Sequence, residues 1–414
     1  MQKNYKRNVL VIGGGASGIM SAIVAAESGA SVTIIEKNER IGKKILITGN
    51  GRCNITNKNI SIENYHGHDP SFAMKVIELF NQNRTMDFFK NLGVEFYEEE
   101  GKIFPFSQQA SSILNLLRLE IERLRIPLVL QTEISTLMPN TDETIEIFDR
   151  YGKSYQADAV IIACGGKAAP FTGSNGGGYK LAESLGHTIT KVFPALVQLK
   201  LEGNLHQAME KMFWEGEVFL FVNDKKIKSV KGDILFTSYG ISGMAILKIS
   251  REAIGAFLES KKVELHINFL PDISFNEKVQ LLKKRKENHP ERTLENFLTG
   301  WINTRIGQTL IKATGLKLNE KASDLTEKDI IKIAKSLEET KFLVTGDTGW
   351  NNAQITAGGI STEEIDPYTM ESRIVKNVHF CGEIVDIDGD CGGYNLQWAW
   401  SSGFVAGKAA SKLK

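Results

Sequence analysis

The sequence predicts an α/β protein, a Rossmann-type dinucleotide-binding domain split by a long insert. Three observations predict it. Residues 8–36 read strand–loop–helix–strand, and the loop is made of glycine. After Pro194 the pattern becomes β-rich and then α-rich. From about Gly346 the chain returns to an apolar strand and a long last helix. The expected boundaries are 1–194 with 346–414 for the dinucleotide domain, 195–272 for the β-rich insert and 273–345 for the helical insert.

The first strand is Asn8–Ile12, followed by the loop Gly13–Gly15, the helix Ala16–Ser28 and the strand Ser31–Glu36. Ala22, Ala25 and Ala26 give that helix the small side needed to pack closely on a sheet. Ser107–Arg125 has the period of an amphipathic helix after the turn at Pro105. Thr144–Phe148 and Ser154–Ala157 flank Asp149-Arg-Tyr-Gly152 and read as a hairpin. Ala159–Ala163 is a buried strand ending in Cys164-Gly165-Gly166. In the insert, Leu196–Leu201, Glu217–Val222, Ile234–Thr237 and Val263–Phe269 read as strands. Phe275–His289, Thr293–Thr314 and Thr326–Glu339 read as helices. Val378–Cys381 is a strand, and the last helix opens near Gly392–Asn395 and runs to Lys408.

Two or three domains fit a chain of 414 residues. With 42% hydrophobic and 24% charged residues it can bury a core without staples. A net charge of +1 makes the whole molecule no magnet for nucleic acid or membrane. Met1–Leu10 has no apolar run or cleavage site, so no leader is expected. The longest apolar runs are too short to cross a bilayer. Four cysteines, Cys53, Cys164, Cys381 and Cys391, form no CxxC pair. Such scattered thiols suit a reducing cytoplasm. Seven dispersed histidines without HExxH give no metal site; His66 and His68 flank Gly67, with no partner ligands in view.

Gly13-Gly14-Gly15-Ala16-Ser17-Gly18 fits G-x-G-x-x-G in the right context, after a strand and opening a helix. Gly13 permits the tight turn, Gly15 lets a pyrophosphate approach the backbone, and Gly18 lets the helix meet the sheet. The helix N-terminus, at Ala16 and Ser17, offers free N–H groups to that anion. Glu36 can accept hydrogen bonds from ribose hydroxyls and would repel a 2′-phosphate, which disfavours NADP there. The loop alone does not separate FAD from NAD. The C-terminus helps: Phe380-Cys-Gly-Glu383 ends a strand with an acid suited to a ribitol. Gly392-Gly-Tyr-Asn395 opens a helix whose N-terminus can stabilise the negative charge of a reduced flavin.

The chain is similar to the BaiN/YhiN-type flavoproteins, which include aminoacetone-oxidase-like members. The likeness runs through Val11–Gly18, Gly42–Asn54, Cys164-Gly-Gly166, Gly186-His187, Gly232–Gly243, Gln354–Ile360 and Gly382-Glu383 to Gly392–Trp400. It departs at Gly177, where an acid is expected, and at Gln198, where proline is expected. The resemblance implies an FAD-binding domain interrupted by a small β-barrel and a helical cluster. It places Glu36, Lys44, Arg52, Asn54, Glu383 and Asn395 around FAD. The full expected cofactor set is Gly13, Gly15, Ala16, Ser17, Gly18, Glu36, Lys37, Lys44, Arg52, Cys53, Asn54, Ile134, Gly165, Gly166, Gly382, Glu383, Asp386, Gly393, Tyr394 and Asn395. The activities it implies diverge: NAD(P)H-driven reduction of a conjugated C=C bond, with uracil in ribosomal RNA as one substrate, or oxidation of small amines by oxygen. A flavin-bearing RNA-binding module without turnover and a plain NAD dehydrogenase are the remaining readings.

For catalysis, Tyr394 is the first candidate as a proton donor, and Cys391 the second; a packed aromatic and a small buried thiol are the structural alternatives. Arg52 could neutralise a pyrophosphate and Asn54 could bond the flavin. Asp386, Asp388 and Asp390 alternate as in a calcium loop but read as solvated turn acids, because the rest of that pattern is missing. No second strand–GxGxxG–helix unit occurs, so NAD(P)H is expected to dock only transiently at the flavin face. Lys283-Lys-Arg-Lys286 forms a basic run in an insert with 24 basic and 20 acidic residues, open to RNA contact or to a solvated helix face.

Overall fold

The structure is a computed structural model that describes residues 6–413. Residues 1–5, on which the reading of the leader partly rests, lie outside them. The chain divides into two compact units: residues up to Phe193 together with Gln354 onward, and Pro194–Ala353.

In the first unit the apolar runs become a five-stranded sheet in the order Val378–Phe380, Ala159–Ile162, Asn8–Ile12, Ser31–Ile35, Leu128–Val129. All neighbours run parallel, with Val9 opposite Ala159 and Val32. Parallel sheets are covered on both faces, so their strands are continuously apolar rather than alternating. Val9, Val11, Ile34 and Ile161 are accordingly fully buried. The helix Ala16–Glu27 follows the first strand. It packs on the last helix, Tyr394–Ala410, at two glycines. A Cβ on Gly403 would lie 2.5 Å from the Ser17 carbonyl oxygen, and one on Gly407 would lie 2.3 Å from that of Ser21. The two backbones therefore touch, as only glycine allows.

The expected hairpin is present as Ile145–Asp149 and Ser154–Ala157, and Ile134–Pro139 adds a third strand. The amphipathic helix spans Ala110–Arg123. Two helices that the sequence reading did not list, Pro70–Leu79 and Gln82–Asn91, start at the side-chain caps Asp69 and Asn81. A short ladder joins Tyr65–His66 to Asp388–Gly389.

The second unit holds a closed six-stranded barrel, ordered Leu199–Leu201, Gly240–Ser242, Lys225–Phe236, Phe213–Val222, Val263–Asn268, Thr340–Asp347. It differs from expectation in three places. Met244–Leu258 is a helix within the stretch read as β-rich. The strand that closes the barrel, Thr340–Asp347, falls in the stretch read as helical, so strands and helices interleave along the chain. Thr293–Thr314 is not one helix: Gly300 takes φ +81°, and a helix starts only at Thr304, capped by Asn303. Phe275–Asn288 and Glu327–Glu338 are helical as read. Among the described residues no helix is long and apolar enough to cross a membrane.

Candidate cofactor and active site

Each glycine of the first loop has a distinct reason to be glycine. Gly13 takes φ +109°, and a Cβ there would meet the Ala163 carbonyl oxygen at 2.4 Å. A Cβ on Gly14 would strike Ile41 at 2.5 Å, and one on Gly18 would strike the Gly13 carbonyl oxygen at 1.9 Å. Gly15 differs: its φ of −82° suits any residue, and an added Cβ would meet nothing within 4 Å. The protein itself does not need glycine there, so the need comes from something that approaches the loop from outside. Gly15 caps the helix without a side-chain hydrogen bond, and no acid stands in the first turn. The N–H groups at Ala16, Ser17 and Gly18 therefore form a helix start that suits an anion, with no capping side chain from the helix.

Glu36 is buried at the end of the second strand. Its Oε2 accepts the Gly14 N–H at 2.7 Å, and its Oε1 accepts the N–H and the side-chain amide of Asn38 at 2.8 and 2.6 Å. Three of roughly four acceptor positions on the carboxylate are thus taken, leaving room for one further donor such as a ribose hydroxyl. Asn38 was not singled out in the sequence. Lys37 donates to Asn175 at 2.7 Å, which ties the Gly-rich stretch 172–178 to this end. Thr132 N–H donates to the Glu36 carbonyl at 3.0 Å, and the strand that begins at Ile134 starts two residues later. Gly165 takes φ +68° beside Ser174, and a Cβ on it would lie 2.9 Å from the Ser174 Oγ.

A second group forms where the Val378–Phe380 strand ends. Lys44 Nζ donates to Glu383 Oε2 at 2.6 Å, and Thr356 N–H donates to Oε1 at 2.9 Å. A Cβ on Gly166 would lie 2.8 Å from that same Oε1. Trp398 Nε1 holds the Gly382 carbonyl at 3.0 Å, and Ser402 Oγ accepts the Gly382 N–H at 2.9 Å, fixing the turn that carries Glu383. A Cβ on Gly382 would meet Ser17 Oγ at 2.3 Å, so this turn lies against the first helix. Lys44, Gly166, Gly382 and Glu383 are therefore brought together.

The third group is the start of the last helix. Gly393 takes φ +99°, and its helix has neither a side-chain cap nor an acid in its first turn. A Cβ on Gly393 would lie 2.8 Å from Asn54 Oδ1, a buried atom with no hydrogen-bond partner. Tyr394 is buried. Its backbone carbonyl accepts from Tyr65 OH at 3.1 Å, and the two rings meet edge to face. Burial, and then the Asp390 charge, raise the Tyr394 phenol above its ordinary range. His66 Nε2 lies 2.9 Å from Asp390 Oδ1. The sequence showed His66 without a partner, because the partner comes 324 residues later.

Several of the expected residues are tied into the protein itself. Asn395 does not point into open space: its amide clamps the Gly389 backbone at 2.8 and 2.7 Å and so shapes the turn. Arg52 pairs with Glu99 at 2.9 Å and stacks 4.3 Å above Phe104, so its charge is already met. Asp386 and Asp388 are buried rather than solvated. Cys53, Cys164 and Cys381 are thiols that burial pushes up to about 12, so they are inert as nucleophiles near neutrality. Cys391 is half-buried beside Gly392. Among the described residues no group of three or more His, Cys, Asp or Glu could hold a metal ion.

The chain matches the HI0933-like protein Rossmann domain over residues 7–409. It belongs to the HI0933-like family. Members of this family are FAD-binding, and the chain is a flavoprotein oxidoreductase. It is 38% identical over 404 residues to the 3-dehydro-bile acid delta(4,6)-reductase of Clostridium scindens, covering 97% of this chain and 98% of that one. It is 29% identical over 400 residues to the ribosomal RNA dihydrouridine synthase of Escherichia coli, covering 96% of each. Its fold is similar to that of 3-ketosteroid delta1-dehydrogenase from Sterolibacterium denitrificans, with TM-score 0.50 and 11% identity over 98% of this chain and 99% of that one.

The residues of this HI0933-like chain fit FAD. Two uncapped helix N-termini, at Gly15 and Gly393, suit the pyrophosphate and the electron-rich edge of the flavin. Glu36 and Glu383 suit the two sugar-like parts, and the unpartnered Asn54 amide suits a flavin polar edge.

Proposed function

We propose that this chain reduces a ring C=C bond conjugated to a carbonyl, with NAD(P)H as the electron source and a small cyclic enone as the acceptor. Tyr394 carries the reading. Saturating a C=C bond adds a hydride to one carbon and a proton to its neighbour. Bound FAD supplies the two-electron hydride chemistry. The chain must supply the proton, and a phenol held above its ordinary range is fully protonated at neutral pH. Tyr394 therefore acts as a donor, or polarises the carbonyl, and does not act as a base. Cys391, three residues before it, is the alternative donor.

The relatives support the bond type. A delta(4,6)-reductase of a 3-dehydro-bile acid and a dihydrouridine synthase both saturate ring C=C bonds conjugated to a carbonyl. The insert is a barrel with helices and not a second dinucleotide domain, which supports nucleotide and enone taking turns at one face. The basic run of the insert supports a small acceptor over RNA. Lys283 pairs with Glu327 at 2.6 Å, Arg285 bonds the Phe297 and Thr299 carbonyls at 2.8 and 2.7 Å, and Lys286 bonds the Leu325 carbonyl at 2.5 Å. Those three cations are spent on the fold, which leaves fewer for phosphates.

The test is anaerobic mixing of the protein with NADPH or NADH while flavin absorbance is followed, and then addition of a 3-keto steroid carrying a 4,6-diene. Bleaching followed by rapid recovery supports the reading. Recovery only with uracil-containing ribosomal RNA moves the acceptor to RNA. Bleaching by small amines but by neither nucleotide overturns the reading in favour of an amine oxidase.

A further inference from the structure

Tyr179 stands at the start of the helix Gly177–Ser184, directly after the Gly-rich stretch 172–178. Its side chain is packed in the core of the first unit, and the residue is only 7% exposed. Its hydroxyl has no hydrogen-bond partner. Its helix packs against the turn that carries Glu383, since a Cβ on the neighbouring Gly178 would lie 2.7 Å from Ile384 Cδ1. Glu383 and Asp386, which both bear on the phenol, are engaged elsewhere. Glu383 takes Lys44 on one oxygen and the Thr356 N–H on the other. Asp386 takes the His68 N–H at 3.3 Å. Burial and these two negative charges raise the phenol, so it stays a donor. A buried donor left without an acceptor is costly, and native proteins rarely keep one. Asn54 Oδ1, at the start of the last helix, is a second buried atom without a partner.

We infer that the Tyr179 hydroxyl donates a hydrogen bond to an oxygen of the polar chain of bound FAD, a ribityl hydroxyl or a pyrophosphate oxygen beside Glu383. The inference rests on FAD binding and is independent of the enone reading. It gives the helix Gly177–Ser184, which follows the stretch tied to Lys37 through Asn175, a donor for the cofactor.

The experiment is Tyr179→Phe in the full chain. FAD is stripped and titrated back, with the Kd read from flavin fluorescence, and the Tm of the stripped protein is measured alongside. Tyr155→Phe, which removes another unpartnered buried phenol on the Ser154–Ala157 strand, is the control. The expected result is an FAD Kd about 3- to 10-fold higher for Tyr179→Phe, the range of one lost hydrogen bond. Its stripped Tm should be equal to or above that of the parent, because an unsatisfied hydroxyl has gone. Tyr155→Phe should leave the Kd unchanged. An unchanged Kd in Tyr179→Phe overturns the inference in favour of a buried water as partner. A raised Kd with a lowered stripped Tm, or a matching rise in the control, overturns it in favour of a general defect in the fold.

Discussion

His66 pairs with Asp388 in a two-stranded ladder, and its Nε2 reaches Asp390 Oδ1, just past the end of that ladder, at 2.9 Å. The charge of Asp390 in turn bears on the Tyr394 phenol. Asp390→Asn keeps the shape and removes the charge, so the phenol should ionise at lower pH. The alkaline limb of enone reduction should move to lower pH, while reduction of the flavin by NAD(P)H keeps its profile. Tyr394→Phe should slow the enone step by ~10²–10⁴-fold, the usual worth of a positioned acid, and leave the nucleotide step intact. Stopped-flow pH profiles of the two half-reactions check both. Equal slowing of the two steps in Tyr394→Phe would remove the phenol from the proton path.

Gly15 and Gly18 lie three residues apart and should respond in opposite ways. Gly15→Ala adds a methyl to open space, so the stripped protein should melt unchanged while FAD binding weakens by tenfold or more, on the order of 1.4 kcal/mol. Gly18→Ala puts a Cβ 1.9 Å from the Gly13 carbonyl oxygen, and the protein itself should lose several degrees in Tm. Thermal melts with and without FAD separate the two cases.

Two histidines set an acid limit. His187 is buried, with Nδ1 at 3.1 Å from Glu364 and Nε2 at 2.7 Å from Ser372. His379 is buried, with Nδ1 3.0 Å from the Thr369 carbonyl oxygen. Burial lowers both below the ordinary histidine range, outweighing the acids that pull the other way. The folded state therefore binds fewer protons than the unfolded one. Stability is fully present above the ordinary histidine pKa of ~6.5 and is lost as pH falls through the lower folded value. Tm should fall between pH 7.5 and 5, and His187→Gln should flatten that fall. A Tm independent of pH in this window would contradict the burial argument.

Thiol chemistry should be limited. Cys53, Cys164 and Cys381 carry thiols pushed up to about 12 by burial. Iodoacetamide at pH 8 should leave all three unmodified in the folded protein and label them only after denaturation, as peptide mass mapping would show. Labelling of any of the three in the native state would reopen a redox role.

The strand–glycine loop–helix–strand start was legible because every level agrees there: apolar strand, glycine pattern, small helix face and terminal acid. The hairpin was legible from its turn. The long helix read over Thr293–Thr314 was not, because apolar spacing continued through Gly300. The real start signal, Asn303, accepts the Arg305 and Ile306 N–H groups and was hidden inside that period. Met244–Leu258 was masked by short strands on either side. At the site, glycines and strand-end acids were visible because they fall in local strand–turn–helix patterns. Partners were not. Asp388 reads as a turn acid until Tyr65–His66 pairs with its segment across more than 300 residues. The Tyr179 hydroxyl is informative only because nothing meets it, which no linear pattern expresses.

The contact of the first and last helices at Gly403 and Gly407 fixes an order of events in time. Ser17 Oγ reaches the Cys381 carbonyl across 364 residues. At a synthesis rate of ~5–20 residues per second, the first helix waits roughly 20–70 s on the ribosome for that partner, while the whole insert is made in between. The loop that is made first is the site that is finished last. A nascent chain halted anywhere in the insert carries the glycine motif without the turn of Glu383 or the helix of Tyr394, so these three groups come together only once the last helix has been made.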